Sequence, residues 1–162
     1  MSLFTSQFSR SLQIIPSKNA VIPTPYVLAS GFNTDVNPLG YSELIDDTKD
    51  FIALGIMVGD VLYNTTGVAA ATITAIINES TLQLNSGILT STEQDYIIYQ
   101  QSAASGIGNE GCYLYFSEET DARIVTIGRD EIRFFGIQAG SVLPVQLISC
   151  ETVKNGYAIA LW

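Results

Sequence analysis

The chain has 162 residues, with seven Lys and Arg against sixteen Asp and Glu and no histidine, giving a net charge of −9. The absent imidazole excludes Ser-His-Asp and Cys-His nucleophiles, His-ligated zinc and histidine acid–base catalysis, and the negative charge repels a phosphate backbone, so nucleic acid is not an expected partner. Charged residues make up 14% of the chain and hydrophobic ones 47%, against a usual charged share of about 25%, which suits a β-rich protein that assembles with others.

Charge is segregated along the chain. Residues 1–34 hold Arg10 and Lys18 and no carboxylate, whereas the rest carries five cations against sixteen carboxylates, or −11. Pro16, Pro23 and Pro25 remove backbone donors and drive their preceding residues into extended conformations, so residues 1–40 are expected to form an extended arm. A solvated tail would not carry so many apolar residues. The arm is therefore expected to lie against its own subunit or a neighbour, with Arg10, Leu12, Ile14, Ile15, Lys18, Val21, Ile22 and Tyr26 as candidate partner-binding residues. The first eighteen residues lack the charged, apolar and small-residue succession of a signal peptide. No run of about 18 apolar residues could cross a membrane as a helix, and no membrane partner is expected.

Residues 41–101 are expected to form a small barrel-like β module. The segment YSELIDDTKDFIALGIMVGD starts with Ser42 and Asp46–Asp47, which could cap one helical turn. It then passes a short apolar piece and reaches a glycine-punctuated strand. VLYN, AATITAII, TLQLN and YIIYQ follow as β-branched and aromatic runs separated by polar turns. In TLQLN, Leu82 and Leu84 face one way and Thr81, Gln83 and Asn85 the other.

The Ser-, Ala- and Gly-rich stretch 100–111 reads as a boundary. A second antiparallel module of barrel or sandwich type is expected over 102–162, built from CYLYF, ARIVTI, EIRFFGI, LPVQLIS and YAIALW. Trp162 should pack at the end of the last strand. Cys112 and Cys150 sit within apolar runs and are expected to act as small buried hydrophobes. Asn64 and Asn78 lie in sequons but read as strand or turn residues. The fold class expected for the whole chain is all-β, an arm followed by two small antiparallel units.

Each patch that could carry chemistry also has a plainer structural reading. Gly106, Gly108 and Gly111 fit G-x-G-x-x-G, but the strand-like CYLYF follows where a dinucleotide site needs a helix. Glu118, Glu119, Asp121, Asp130 and Glu131 could serve glycoside hydrolysis or calcium, yet they fall in predicted turns, where such residues are solvated tips. Asp46, Asp47, Asp50 and Asp60, with Lys49, form either a solvated acidic face or a surface complementary to basic arms. The eight tyrosines and seven phenylalanines read mainly as core and interface, with a sugar-stacking platform as the alternative. No cofactor, no metal and no enzymatic activity are expected.

Two stretches carry a resemblance. LIDDTKDF followed by GIMVGDVLYNTTGVAAATITAIINESTLQLNSGI resembles a short β module of tailed-bacteriophage structural proteins, often patterned D-T-T-x-D-F, V-G-D-x-V-x-N-T-T-D-G, A-T-V-T-A-V and T-x-L-T-L. GCYLYF, RIVTIGRDEIRFFGIQAGSVLPVQLISC and IALW are similar to a second phage type with an L-Y-V-G and G-x-x-L-P-V core and a terminal A-L-W. Gly59, Asp60, Asn64, Thr65, Gly140, Pro144 and Trp162 match as turn and packing positions. The chain departs from these patterns at Gly67-Val68, where Asp-Gly is usual, and at Phe116-Ser117, where a glycine is expected. The resemblance implies a non-enzymatic virion protein, made in the host cytoplasm and carried on the outer capsid surface. There it would act as a head decoration, or cement, protein that binds the major capsid protein as a homo-oligomer, with a trimer expected. A tail, baseplate or fibre component, with receptor or glycan binding, is the alternative.

Overall fold

The computed structural model describes Phe8, residues 10–101 and residues 111–162, and is all-β, with every strand pair antiparallel. The glycine pattern lies outside the described residues except for Gly111.

The first unit is a six-stranded sheet ordered β2 (Val27–Phe32), β7 (Asp95–Tyr99), β4 (Val61–Asn64), β5 (Ala69–Asn78), β6 (Thr81–Leu84) and β3 (Glu43–Ile45). The ten-residue β5 shifts register twice against β6, and such bulges increase twist. The sheet curls until its edges touch: Thr34 donates its N–H to the Ile45 carbonyl at 2.8 Å, and Asp35 bridges Ile45. Inside lie Leu44, Phe51, Leu62, Ile73, Leu82, Leu89, Tyr96 and Ile98. Leu82 and Leu84 both face this core, as their alternation predicts. The expected helical turn near Ser42 is instead strand β3, because Glu43–Ile45 pairs with Thr81–Gln83 and thereby satisfies its backbone.

The second unit has two three-stranded sheets. One is ordered β1 (Ser11–Gln13), β12 (Ala158–Leu161), β8 (Tyr113–Phe116), and the other β10 (Glu131–Ile137), β9 (Thr120–Thr126), β11 (Leu147–Val153). Cys112 and Leu147 exchange both backbone hydrogen bonds, at 3.0 Å each, and join the sheets on one side. The expected strand LPVQLIS is displaced, since pairing with β9 starts only at Leu147 and runs on to Val153. Trp162 packs against the core of this unit.

The arm is no separate element, which redraws the expected boundary at 40. Its first strand, β1, belongs to the second unit, paired with β12. From there the chain crosses to β11, where Ser17 and Ile22 donate to the carbonyls of Cys150 and Ile148 at 2.9 and 2.8 Å. It then enters the first unit as β2, paired with β7. Residues 23–101 are thus inserted between β1 and the remainder of a discontinuous second unit.

The side chains of the arm divide between the two units. Ile14 and Ile22, 3% and 5% exposed, fill the second unit's core beside Leu114, Phe116, Ile124 and Leu147. Leu12, Ile15, Ala20 and Val21 pack instead on Val61, Tyr63, Ala70 and Tyr99, on the outside of the first unit. This explains why all four residues of β4 are buried: the curled sheet covers one face and the arm the other. Polar contacts fasten the arm, with Ser17 Oγ donating to the Ala70 carbonyl at 2.9 Å and Thr72 Oγ1 to the Asn19 carbonyl at 3.0 Å.

Candidate assembly surfaces

The arm residues singled out from sequence are largely turned inward. Ile14 and Ile22 are core, and Leu12, Ile15 and Val21 are sandwiched between the units. Arg10 lies over the Tyr26 ring at 4.1 Å, a cation–π contact, and Lys18 is exposed. Among the described residues the arm is thus packed mainly against its own chain, with Leu12, Ile15, Val21 and Tyr26 partly buried.

The acidic patch also divides. Asp46 and Asp60 are fully buried, while Asp47 and Asp50 are exposed. Asp46 accepts from the Tyr96 hydroxyl at 2.6 Å and, on its other oxygen, from the Thr48 backbone N–H at 3.0 Å and hydroxyl at 2.6 Å. Gly31 makes room for this cluster, since a Cβ there would stand 3.0 Å from the carboxylate and 3.1 Å from the hydroxyl. Burial, together with the hydrogen bond to Asp46, raises the Tyr96 pKa above its ordinary value. Asp60 accepts from the backbone N–H of Met57 at 2.8 Å and of Gln101 at 2.8 Å.

These two buried carboxylates brace the segment between them, and that segment is the feature the sequence reading missed. Residues 52–58 form consecutive turns, not the expected strand, and project Ile52, Leu54, Met57 and Val58 into solvent, with Ile52 62% and Val58 59% exposed. Phe51 anchors the loop in the core, donating its N–H to the Glu79 carbonyl at 2.6 Å, and Asp50 accepts from the Ala53 N–H at 2.9 Å. Four large apolar side chains on a braced loop differ from the scattered exposed hydrophobes of ordinary surfaces. The signal was available in the run FIALGIMVG: its apolar residues follow no period of two and two glycines interrupt it, which suits turns better than a strand.

The outer face of the β9–β10–β11 sheet carries a second surface. An open groove of about 550 Å³ is lined by Asp121, Arg123, Arg133, Phe134, Phe135, Thr152, Val153 and Lys154. Arg123 is paired with Glu131 at 2.6 Å and Glu151 at 3.1 Å, and Lys154 with Asp121 at 3.5 Å. Arg133 stands directly across the strands from Arg123, like charge against like, and among the described residues it has no salt bridge. Phe135 is 76% exposed. A second concavity, of about 500 Å³, lies where arm and units meet, lined by Ile15, Tyr63, Val68, Tyr99 and Tyr157 among others.

Several of the remaining candidates make contacts within the fold. Asp121 accepts from the Gly136 N–H at 2.9 Å, and this bond, with the nearby Lys154, lowers its pKa; Glu131 is held low by Arg123. Among the described residues no group of three or more His, Cys, Asp or Glu could hold a metal ion, and no helix is long and apolar enough to cross a membrane. Asn64 is fully buried, its amide donating to the Ile88 carbonyl at 2.6 Å and its carbonyl accepting from the Gly67 N–H at 2.8 Å. Asn78 accepts from the Ser80 N–H at 2.9 Å in a turn. Cys112 and Cys150 are free and buried, and desolvation pushes both thiols up to about 12. Comparison of the chain with protein-family models, with curated proteins and with solved structures finds no match.

Proposed function

We propose that the protein is a non-enzymatic structural component of a tailed-phage virion, a head decoration or cement protein that binds the major capsid protein on the outer capsid surface as a homo-oligomer, with a trimer as the expected form. The observation that carries the binding role is the braced loop 52–58. A β scaffold holds four apolar side chains in water, an arrangement that gains free energy when another apolar surface covers it. The resemblance of residues 44–162 to phage β modules supplies the particle. Many such contacts, each weak, would sum over a lattice through multivalency and brace a shell against pressure from within.

A test is to count copies in purified particles by mass spectrometry and to locate them by labelled electron microscopy. Hundreds of copies over the head are expected. A few copies confined to the tail would establish the alternative, a tail, baseplate or fibre component. For that alternative the tyrosine-lined concavity between the units is the place to look for a glycan. Absence from particles would overturn both readings.

A further inference from the structure

The charge of the chain is divided between its units. Residues 23–101 hold nine Asp and Glu against one Lys, a charge of −8, whereas residues 10–22 and 111–162 together hold six of each sign. The apolar loop lies on the acidic unit, with exposed Asp47 and Asp50 beside it in sequence. Exposed Glu79 is adjacent in space, because its carbonyl takes the Phe51 N–H. The groove lies on the neutral unit, where Phe135 stands 76% exposed beside Arg133 and the paired Arg123, Lys154 and Asp121, while Phe134 and Val153 at its floor pack on the core. Two copies meeting loop to loop would press acidic rims together, and two meeting groove to groove would oppose their arginines. Loop against groove instead buries apolar on apolar and sets carboxylates beside Arg133, which has no salt bridge among the described residues.

We propose that the loop of one copy, residues 52–58, seats in the β9–β10–β11 groove of a second copy, making a head-to-tail contact. Such a heterologous contact closes into a ring when its rotation allows and otherwise runs on as an open chain. The inference supplies the contact for the self-association within the reading above, and it stands or falls without reference to any particle.

The test uses two full-length variants altered at exposed positions, Met57→Glu in the loop and Arg133→Glu in the groove, with circular dichroism and melting to show that both fold. Ile52→Glu replaces the loop variant if Met57→Glu fails to fold. In sedimentation velocity the unaltered protein is expected to associate, and each variant alone to be monomeric, its affinity reduced about tenfold or more. Mixed together, the variants should form a one-to-one dimer and nothing larger, because only one intact loop and one intact groove remain. Raising the salt from 50 to 500 mM, as assay conditions, should weaken association of the unaltered protein. The proposal is overturned by a monomeric unaltered protein, by association that survives either substitution, or by a mixture that stays monomeric. Flotation of the unaltered monomer with phosphatidylcholine vesicles would assign the loop to lipid and likewise overturn it.

Discussion

Replacing Ile14 by Ala tests whether the arm is part of its own subunit's fold. The side chain is 3% exposed within the second unit's core. The substitution removes three carbons, about 2.4 kcal/mol at about 0.8 kcal/mol per buried methylene, and adds a term for the space left behind, so about 3 kcal/mol is expected within the usual range of about 2–5 for such truncations. In urea this corresponds to a midpoint lower by about 1–2 M, at a slope of about 2 kcal/mol per M. Lys18→Ala, at an exposed arm position, should stay within about 0.5 kcal/mol. Whether the docking is intrachain is read separately from a disulfide across β1 and β12, made with Gln13→Cys and Ile159→Cys, which face each other in the register. The flanking hydrogen bonds run from Ile14 to Ala158 and from Trp162 to Arg10, placing this pair at a non-hydrogen-bonded site, where the strands approach most closely. A monomer-sized band on a non-reducing gel is expected. An Ile14→Ala loss no larger than that of Lys18→Ala, or a covalent ladder on the gel, would refute the docking described here.

Two further predictions concern backbone strain and pH. Val68 holds a φ of 49° although it is β-branched and largely exposed, a conformation costing about 1–2 kcal/mol. Val68→Gly should relieve this, less about 0.5–1 kcal/mol of added chain entropy in the unfolded state, for a net gain of up to about 1 kcal/mol in urea unfolding; a loss of stability would contradict it. For the thiols of Cys112 and Cys150, the pKa is about 12 in the fold against about 8.5 in an unfolded chain. Below about pH 8.5 both states are protonated and stability is unaffected. Above it only the unfolded chain ionises, so stability should fall by about 1.4 kcal/mol per pH unit per thiol until about pH 12. Urea midpoints that stay level between pH 9 and 11, or a slope unchanged in a Cys112→Ala, Cys150→Ala double variant, would count against this, as would ready reaction of the native thiols with Ellman's reagent at pH 8.

The strands were legible where residue type and spacing agree. VLYN, TLQLN, YIIYQ and EIRFFGI each fall on a strand, and the proline-rich residues 14–26 hold no helix. Three features were not legible, each because a distant part of the chain decides it. Ser42 and Asp46 carry helix-capping chemistry, but pairing with β6 makes Glu43–Ile45 a strand and the Tyr96 hydroxyl takes up the Asp46 carboxylate. The carboxylates of Asp46 and Asp47 look alike in sequence, yet only the first finds a cavity lined with donors. The arm's two apolar faces were visible as composition, but that they fit between two units of the same subunit depends on β11 and β12, which come more than a hundred residues later. The turn at Gly67-Val68 shows how far a motif reaches: the left-handed conformation that a glycine ordinarily fills is kept at Val68, while a Cβ at Gly67 would come within 2.8 Å of the Asn64 amide.

That β1 completes a sheet with the last strand has a consequence during synthesis. Ser11 is made 150 residues before its neighbour Leu161, and closing so long a loop is slow. Until then Ile14 and Ile22 have no pocket to occupy, although the inserted barrel can already curl around its own interior. Until β12 is made, the apolar side chains of the nascent segment stay uncovered, and β12 is the latch that shuts them in.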